Sequence, residues 1–261
     1  MILVLAGTAD GRKMAELIQA EGFSVLVSTA TPYGGSLAQT MPVRTGGLDQ
    51  TGFCALLRER PIKLLVDASH PFAANVSRTA MAACREVGIP YLRYERPSSA
   101  IPDSPLIHRV YSYEDAATAV KDLDKCIFLA IGANNLHLFT AVIRPNGPKI
   151  IARVLPEPRV IDKCIELGLK PADIVAMQGP FGLELNMSMF RHFKSDVLIT
   201  KESGQQGGTD AKIAAALACD MQVIVVERPS IDYPTVVKNW AELQECLRSW
   251  QNAAQTAGGL N

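Results

Sequence analysis

The sequence predicts an α/β fold of two domains, each a parallel sheet flanked by helices, with a cleft between them. Apolar runs of strand length alternate with helical patterns, which is typical of parallel sheets because their strands need crossover connections. The strand-helix-strand unit at residues 64–98 recurs at residues 197–230, and both copies end in the same tetrapeptide, Glu-Arg-Pro-Ser. A length of 261 residues accommodates two domains. Each domain is therefore expected to be Rossmann-like.

The first half of the chain contains the elements of an N-terminal domain expected at residues 1–106. Its apolar runs predict strands at residues 2–6, 24–28, 42–45, 64–66 and 90–93. The patterns between them predict helices at residues 12–21, 52–58 and 73–87. Several prolines and serines in residues 97–105 interrupt the alternation and indicate a linker.

The second half repeats the scheme after a crossover segment expected at residues 107–122, in which Ser112 can cap a helix at residues 113–121. Residues 123–250 are expected to form the C-terminal domain, with strands at 126–131, 149–154, 173–177, 196–200 and 222–226. The last helix has an apolar face, interpreted as core packing, that consists of Trp240, Leu243, Leu247 and Trp250. Residues 251–261 are polar and are expected to be a flexible tail.

Charge and cysteine content argue against several functional classes. Lysine plus arginine and aspartate plus glutamate both number 26, so no overall field attracts nucleic acid or a membrane surface. An anionic ligand must then be met by local cations. The six cysteines form no Cys-x-x-Cys pair and are expected to be buried free thiols. The chain opens with a strand and has no apolar run of about 20 residues, so we expect a cytoplasmic protein.

The loop after the first strand, Ala6 to Gly11, is the first candidate ligand site. Glycine lets the backbone approach a phosphate there, and the following helix offers unpaired N–H groups and a partial positive charge. The candidate cofactor-binding residues of this loop are Gly7, Thr8, Ala9 and Asp10. The loop lacks the complete G-x-G-x-x-G spacing, so a tight turn without a ligand is an alternative.

The end of the second strand favours NADPH over NADH as a cofactor. Ser28 and Thr29 lie where an NAD enzyme usually has an acidic residue for the ribose 2′-hydroxyl. Hydroxyl side chains without a carboxylate suit a 2′-phosphate instead. Arg44 and Gly46 belong to a short strand and turn nearby, and we expect them to complete this phosphate site.

A second polar loop, Asp67 to Phe72, places a carboxylate, a hydroxyl and an imidazole at the end of a strand. Ligands of parallel sheets bind beyond the carboxyl ends of the strands. Asp67 is therefore a candidate for substrate binding, Ser69 for cofactor binding and His70 for catalysis. Structural explanations are also open, since Ser69 could cap a helix and His70 could be a hydrogen-bonded wall residue.

The loop Thr200 to Thr209 is expected to hold a phosphate or carboxylate. Its glycines allow the backbone to curl around an anion, and Lys201 supplies a positive charge. The lysine precedes the glycines, so the loop departs from the nucleoside-triphosphate spacing. Glu202 could instead form a local ion pair with Lys201. The candidate substrate-binding residues here are Lys201, Ser203, Gly204, Thr209 and Lys212.

Other strand ends supply further candidates. The turn Gly179-Pro180-Phe181-Gly182 contributes Gly179 and Phe181, and Arg153 lies near the end of a predicted strand. The pairs Glu95-Arg96 and Glu227-Arg228 are interpreted as self-neutralising surface charges. The remaining histidines show no metal-ligand spacing, so no metal site is predicted.

Four segments are specific enough to indicate a family. They are D-A-S-H-P-F-A at residues 67–73, G-P-F-x-x-E-x-N at 179–186, T-K-E-S-G-x-x-G-G-x-x-A-K at 200–212, and E-R-P after a strand. In this order they resemble the precorrin-6A reductase family of cobalamin biosynthesis, over residues 1 to about 230. The resemblance implies NADPH-dependent reduction of one double bond of precorrin-6A, or of its cobalt-containing equivalent, to the 6B form. The chain departs from the family pattern at Ala6, Ser69 and Ala130-Ile131.

The resemblance gives the candidate residues their expected roles. A precorrin carries many carboxylates, so a chain without net charge must concentrate cations near it, and those in position are Arg96, Arg153, Lys201, Lys212 and Arg228. His70 is the expected proton donor, followed by Lys201 and Glu202. Solvent or the substrate's own carboxyl groups are alternative proton sources.

Two other functional classes fit the same sequence. Two α/β lobes around a cleft also describe a non-catalytic cytosolic sensor of a small ligand or dinucleotide. An enzyme alternative is another reductase or methyltransferase that acts on a tetrapyrrole. For the reductase we expect a precorrin substrate, transient contacts with neighbouring enzymes of the pathway, and neither nucleic acid nor membrane as a partner.

Overall fold

A computed structural model describes residues 1–36, 41–142, 147–204 and 207–258 of the chain. The chain divides into two compact units. The first unit contains Met1–Pro97 together with the chain from Ser230 onward, and the second contains Ser98–Pro229. Each unit has one six-stranded sheet in which every neighbouring pair of strands is parallel. The predicted α/β class with two parallel sheets is thus confirmed.

The strands are numbered along the chain. They are β1 Ile2–Leu5, β2 Val25–Thr29, β3 Val43–Thr45, β4 Leu64–Asp67, β5 Tyr91–Tyr94, β6 Ile107–Val110, β7 Cys126–Ala130, β8 Lys149–Val154, β9 Ile174–Ala176, β10 Val197–Lys201, β11 Gln222–Val226 and β12 Val236–Val237. The first unit has the strand order β12-β5-β4-β1-β2-β3, and the second has the order β6-β11-β10-β7-β8-β9.

The helices cover both faces of the sheets, as parallel strands require. They are α1 Ala9–Ala20, α2 Pro32–Ser36, α3 Gln50–Glu59, α4 Ala74–Val87, α5 Tyr113–Val120, α6 Leu136–Thr140, α7 Pro158–Glu166, α8 Leu183–His192, α9 Thr209–Leu217 and α10 Trp240–Gly258, with a short 3₁₀ turn at Pro171–Asp173. Ser112 caps α5 as predicted, because its hydroxyl accepts a hydrogen bond of 3.0 Å from the Asp115 N–H.

The two strand orders confirm the internal duplication. Apart from the edge strands β6 and β12, the chain in each sheet starts at a central strand, β1 or β7, adds two strands on one side, and then adds two on the other side. The strand order therefore reverses at β1 and at β7, and such reversals are where parallel sheets bind ligands. The loops after β1 and β4 lie at this edge of the first unit, and those after β7 and β10 lie at the same edge of the second.

The sixth strand of each sheet departs from a simple duplication. β6 follows β5 along the chain, yet it pairs with β11 in the second unit. β12 follows β11, yet it pairs with β5 in the first unit. The chain passes from one unit to the other at Pro97–Ser98 and at Pro229–Ser230, which are the same positions in the two Glu-Arg-Pro-Ser copies.

The core of the first unit lies on both faces of its sheet. Successive residues of a strand face opposite sides, so Ile2 and Val4 pack with α1 and α10, and Leu3 and Leu5 pack with α3 and α4. In the second unit Phe128 of β7 packs against Phe190 of α8, with ring centroids 5.0 Å apart in an edge arrangement. Burial on both faces explains why the strands are continuous apolar runs.

The units differ from the domain boundaries expected at residues 106, 122 and 250. Residues 107–122 are not a separate crossover, because β6 is an edge strand of the second sheet. The last helix, α10, belongs to the first unit, where Leu243 and Leu247 are buried against Ile2 and Val4. Its apolar face is core packing, as predicted, but in the other unit. The flexible tail was expected from residue 251 to residue 261, but α10 continues to Gly258, and residues 259–261 lie outside the described residues.

Two further features concern the whole chain. All six cysteines are free thiols, as predicted, but only three have the expected burial. Cys54, Cys84 and Cys164 are buried, whereas Cys126, Cys219 and Cys246 are half-buried. Within the ranges that the structure describes, no helix has both the length and the apolar character needed to cross a membrane.

Candidate functional site

The loop after β1 is built around Thr8 and two glycines. The Thr8 hydroxyl accepts a hydrogen bond of 2.9 Å from the Gly11 N–H at the start of α1 and donates one of 3.2 Å to the Ala68 carbonyl after β4. A Cβ on Gly11 would lie 2.8 Å from both Ala6 and Ala68, so only glycine allows this close packing. Apart from the two chain neighbours of Gly7, no residue that the structure describes lies within 4 Å of a Cβ placed on Gly7. The space beside Gly7 is therefore open to a ligand phosphate.

Asp10, in the first turn of α1, forms an ion pair with Arg96. Arg96 Nη1 lies 2.8 Å from Asp10 Oδ2, and the two side chains are 11% and 7% exposed. Burial raises the pKa of Asp10, and the Arg96 charge opposes that rise. The interpretation of Arg96 as one half of a self-neutralising surface pair with Glu95 is therefore corrected. Asp10 was expected to bind the cofactor, and its side chain instead ties the Glu-Arg-Pro-Ser segment to the β1 loop.

The predicted phosphate residues meet at the carboxyl ends of β2 and β3. Ser28 and Arg44 are paired in the parallel ladder, and Arg44 Nη1 lies 3.5 Å from the Ser28 hydroxyl. Arg44 also donates hydrogen bonds to the carbonyls of Gly46 and Gly47, which fix its guanidinium over the turn. Gly46 has a φ of 107°, a conformation that glycine adopts without strain. A hydroxyl and a guanidinium thus lie together where a 2′-phosphate is expected.

Asp67 is buried in a hydrogen-bond network instead of facing a ligand. It is fully buried and accepts hydrogen bonds from the Ser69 N–H at 2.9 Å, from the Ser77 hydroxyl at 2.6 Å and from the Tyr91 hydroxyl. Arg93 Nη1 lies 3.0 Å from Asp67 Oδ1 and is also fully buried. The expectation that Asp67 binds substrate is corrected, because its carboxylate is occupied within the first unit.

Ser69 and His70 follow Asp67 and are partly exposed. The Ser69 hydroxyl accepts a hydrogen bond of 3.2 Å from Arg93 Nη1. His70 Nδ1 accepts one of 3.1 Å from the Phe72 N–H, so a neutral His70 ring carries its proton on Nε2. A small pocket at this edge of the sheet has polar lining residues, namely Thr8, Asp10, Ser69, Arg93 and Arg96.

In the second unit, Asn186 of α8 organises the loop after β9. Asn186 is fully buried, and its amide donates hydrogen bonds of 3.0 and 2.8 Å to the carbonyls of Phe181 and Gly182. Its carbonyl oxygen accepts one of 2.8 Å from Arg153 Nη1. The Arg153 guanidinium lies 4.8 Å from the centroid of the Phe181 ring. Asn186 thereby brings the predicted residues Arg153 and Phe181 together.

Lys212, in the first turns of α9, is a buried cation with cationic neighbours. Its side chain is 6% exposed, and burial together with the charges of Arg153 and Lys201 lowers its pKa to about 7. Burial also lowers the pKa of Arg153 to about 10. Among the residues that the structure describes, none offers Lys212 a carboxylate partner. A ligand carboxylate would relieve this charge cluster.

The loop after β10 is held by internal hydrogen bonds. The Thr209 hydroxyl accepts one of 3.1 Å from the Ser203 N–H and donates one of 3.3 Å to the Lys201 carbonyl. Gly208, with a φ of 67°, leads into α9 and packs on Pro180, so the loop after β9 adjoins the start of α9. A Cβ on Gly207 would collide with Ser203. Gln205 and Gln206 of the predicted loop lie outside the described residues.

Glu202 binds two chain segments, the one that enters the second unit and the one that leaves it. Its carboxylate accepts hydrogen bonds of 2.9 Å from the N–H groups of Ser99 and Gly204 and forms an ion pair with Arg228. Glu227 pairs separately with Arg109 at 2.7 Å. The interpretations of Glu227-Arg228 as a self-neutralising pair and of Glu202 as a partner of Lys201 are both corrected. Glu202, a predicted proton donor, is 2% exposed and occupied by these partners.

The structure thus groups most predicted residues at the ligand edge of their own unit. The residues that position them were not predicted from the sequence. They are the buried Ser77, Tyr91, Arg93 and Asn186, and the partly buried Tyr233, whose ring lies against Arg93. In the first unit, the sequence feature that indicates such a buried network is an arginine within the otherwise uncharged strand Tyr91–Tyr94. Asn186 was noticed only as part of a motif.

Comparison with known proteins identifies the family. The family described as "Precorrin-6x reductase CbiJ/CobK" matches residues 1–248. The chain belongs to this family. It is therefore an oxidoreductase, its function lies in cobalamin biosynthesis, and the resemblance noted in the sequence is confirmed. The non-catalytic sensor is rejected as an alternative.

Individual members of the family are similar over nearly their whole length. The cobalt-precorrin-6A reductase of Priestia megaterium is 35% identical over 95% of this chain and 98% of its own. That of Methanocaldococcus jannaschii is 37% identical over 93% of this chain and 96% of its own. A solved structure, "CobK precorrin-6A reductase", superimposes with a TM-score of 0.80 at 26% identity and covers 95% of this chain and 96% of that one. A tetrapyrrole substrate and a redox cofactor follow from membership in a precorrin reductase family.

Proposed function

We propose that the protein uses NADPH to reduce one macrocyclic double bond of precorrin-6A, or of its cobalt-containing form, to the 6B form. The observation that carries the choice of cofactor is the pairing of Ser28 with Arg44 beyond β2, in the same unit as the open glycine loop after β1. Relatives with either substrate in their names occur, including the precorrin-6A reductase of Rhodobacter capsulatus at 30% identity. The proposal therefore includes both forms.

The first unit is the proposed cofactor-binding unit. Gly7, Thr8 and Ala9 would hold the diphosphate at the N-terminus of α1, where the open space beside Gly7 fits a phosphate. Ser28, Thr29, Arg44 and Gly46 would hold the 2′-phosphate. When bound, the reduced cofactor supplies the hydride for the reduction. A dinucleotide crosses the sheet at the reversal of strand order, so its nicotinamide half falls on the β4 side, near Ser69.

The second unit is the proposed substrate-binding unit. Precorrin carboxylates need cations, and the charges of Arg153 and Lys201 both act on the buried Lys212. A carboxylate beside Lys212 would stabilise the charged ammonium and raise its pKa again. The backbone and aromatic groups expected to contact the substrate nearby are Gly179, Phe181, Ser203, Gly204 and Thr209.

His70 is the proposed proton donor. Imidazole exchanges a proton near neutral pH, and its protonated imidazolium form would be the donor. In the neutral ring Nδ1 accepts a hydrogen bond from the Phe72 N–H, so protonation of His70 replaces that hydrogen bond. Glu202 is the weaker candidate, since its carboxylate is buried and bound to Arg228. Lys201, the last residue of β10, is retained as a second donor. The cytoplasmic location and the transient contacts with pathway enzymes stay predictions.

Replacing Arg44 with alanine tests the cofactor choice. The variant should bind NADPH about 10- to 100-fold more weakly, because a hydrogen-bonded charge contributes about 1.5–3 kcal/mol. Its affinity for NADH should change little. Fluorescence titration with both nucleotides measures this. Arg85→Ala, at an exposed position of α4, is the control and should bind NADPH like the wild type. An equal loss of affinity for NADPH and NADH, or no loss of affinity for NADPH, would show that Arg44 does not bind the 2′-phosphate.

A further inference from the structure

Arg93 is a fully buried cation beside the proposed cofactor loop. Its Nη1 donates hydrogen bonds to Asp67 Oδ1 at 3.0 Å and to the Ser69 hydroxyl at 3.2 Å. The Tyr233 ring lies 5.2 Å from its guanidinium carbon. Among the described residues, Nε and Nη2 of Arg93 have no hydrogen-bond partner although both are buried. Arg93 therefore keeps unsatisfied donors in a place where each one costs stability.

Stability alone does not account for this arrangement. A buried ion pair is often no better than well-packed apolar side chains of the same volume, because desolvation offsets the attraction between the charges. Two donor nitrogens without partners, which carry three N–H groups between them, make the balance worse. The Asp67–Arg93 ion pair instead fixes the position of Ser69. Asp67 Oδ1 accepts from both the Ser69 N–H and Arg93, so one carboxylate oxygen and one guanidinium fix both the backbone and the hydroxyl of Ser69.

The fixed hydroxyl has a defined hydrogen-bonding role. Since Ser69 Oγ accepts from Arg93, its own proton is available for donation, and no described residue accepts it. Arg93 and Ser69 both line the pocket at the carboxyl ends of β1, β4 and β5. This pocket lies on the β4 side of β1, opposite the predicted 2′-phosphate residues on β2 and β3. Arg93 is fully buried, so the donor that a ligand oxygen, such as that of a carboxamide, can reach is the partly exposed hydroxyl of Ser69.

We propose that Arg93 is a positioning residue for the nicotinamide half of the cofactor, and that it acts by fixing Ser69 as a hydrogen-bond donor to the carboxamide. The proposal rests on the proposed function, in which the first unit binds a reduced pyridine nucleotide. It adds that different residues of that unit bind different parts of the cofactor. Ser28 and Arg44 select the phosphorylated ribose, and Arg93 with Ser69 selects and orients the ring.

Two ligands separate this role from a general structural one. NADPH and 2′-phospho-ADP-ribose share the phosphates and both ribose groups, but the second lacks the nicotinamide. We expect the wild type to bind NADPH more tightly, and the ratio of the two dissociation constants measures the ring's contribution. Arg93→Met should lower that ratio about 10-fold, through weaker NADPH binding, and change the affinity for 2′-phospho-ADP-ribose less than about 3-fold. Calorimetric titration measures both constants without turnover.

Matched variants control for loss of stability. Tyr91→Phe removes a hydrogen bond to the other oxygen of Asp67 and should lower the melting temperature while keeping the wild-type ratio. Ser69→Ala should lower the ratio of the two dissociation constants as much as Arg93→Met does. The double variant should show little further change in this ratio, because both substitutions act on one hydrogen bond. Arg93→Lys should restore part of the ratio. If Arg93→Met does not fold, Ser69→Ala and Arg93→Lys provide the same comparison.

The outcomes distinguish this proposal from the proposed function. If the wild type binds neither ligand, the cofactor site itself is wrong. If it binds both equally, or if Arg93→Met and Ser69→Ala weaken both ligands to the same extent, Arg93 has no role specific to the ring. A ratio that falls in Arg93→Met and Ser69→Ala but not in Tyr91→Phe supports the proposal.

Discussion

Lys212 combines a cost in stability with a proposed role in binding. In the folded protein its pKa is lowered to about 7, whereas an unfolded chain restores the ordinary value of about 10.5. Between these two values the unfolded state binds more protons, so the free energy of unfolding rises with pH over this window. Below about pH 7 Lys212 is charged in the folded protein as well, so the burial of its charge lowers the free energy of unfolding by the full amount.

Lys212→Met should therefore stabilise the free protein most at low pH. We expect its melting temperature to exceed that of the wild type at pH 6 by about 2–4 °C for each kcal/mol gained, and the difference to shrink by pH 10. Thermal unfolding across this pH range measures the effect. Lys170→Met removes an exposed lysine of the same unit and should show no such trend. A wild type at least as stable as Lys212→Met at pH 6 would contradict the buried-charge interpretation.

The residue types near the ligand-binding ends of the strands could be predicted from the sequence, but the ion pairs between charged side chains could not. Gly7, Ser28 and Lys212 could be predicted because parallel sheets bind ligands at these ends and the residue types fit anions. The Asp67–Arg93 and Asp10–Arg96 pairs join residues that are far apart in the sequence. Which partner each charge takes depends on strand register and loop path, and a single sequence does not contain these. Adjacent charges such as Glu95-Arg96 were therefore paired wrongly.

At the scale of elements, α10 belongs to the first unit, although it follows the second unit in the sequence. Leu243 and Leu247 are 0% and 1% exposed and pack on β1. The last helix and β12 are thus parts of the sheet that is proposed to bind the cofactor. A change in α10 should weaken the first unit and leave the second unaffected.

Leu243→Ala tests this assignment. Removing a buried leucine costs about 2–5 kcal/mol. Hydrogen exchange followed by mass spectrometry should show faster exchange in β1, Ile2–Leu5, and unchanged exchange in β7, Cys126–Ala130. Ile165→Ala, at a half-exposed site on α7, should leave both strands as in the wild type. Faster exchange in β7 with no change in β1 would mean that α10 stabilises the second unit.

Ten of the twelve strands that the structure describes were predicted from the sequence, whereas β6 and β12 were not. The 3.6-residue and strand-length apolar patterns located the helices and strands, since these patterns reflect burial on one or both faces. β6 and β12 were missed because neither has the apolar run of a central strand: β6 contains His108 and Arg109, and β12 has only two residues. Only the pairing of β6 with β11 and of β12 with β5 assigns these two strands to their units.

For the whole molecule, duplication supplies two similar sheets with different chemistry. The first unit has hydroxyls, an open glycine loop and Arg44 at its ligand edge, which suit phosphates. The second has the clustered cations Arg153, Lys201 and Lys212, which suit carboxylates. Family membership establishes a reductase. The division between a cofactor unit and a substrate unit is the central proposal.

The most direct test is hydride transfer to the proposed substrate. The purified protein would be incubated without oxygen with precorrin-6A, or with its cobalt form, and NADPH deuterated at either face of C4. We expect NADPH oxidation and a product that contains one deuterium from one of the two labelled cofactors and one proton from solvent. Unchanged substrate and unoxidised NADPH with both the metal-free and the cobalt-containing form would contradict the proposed reaction.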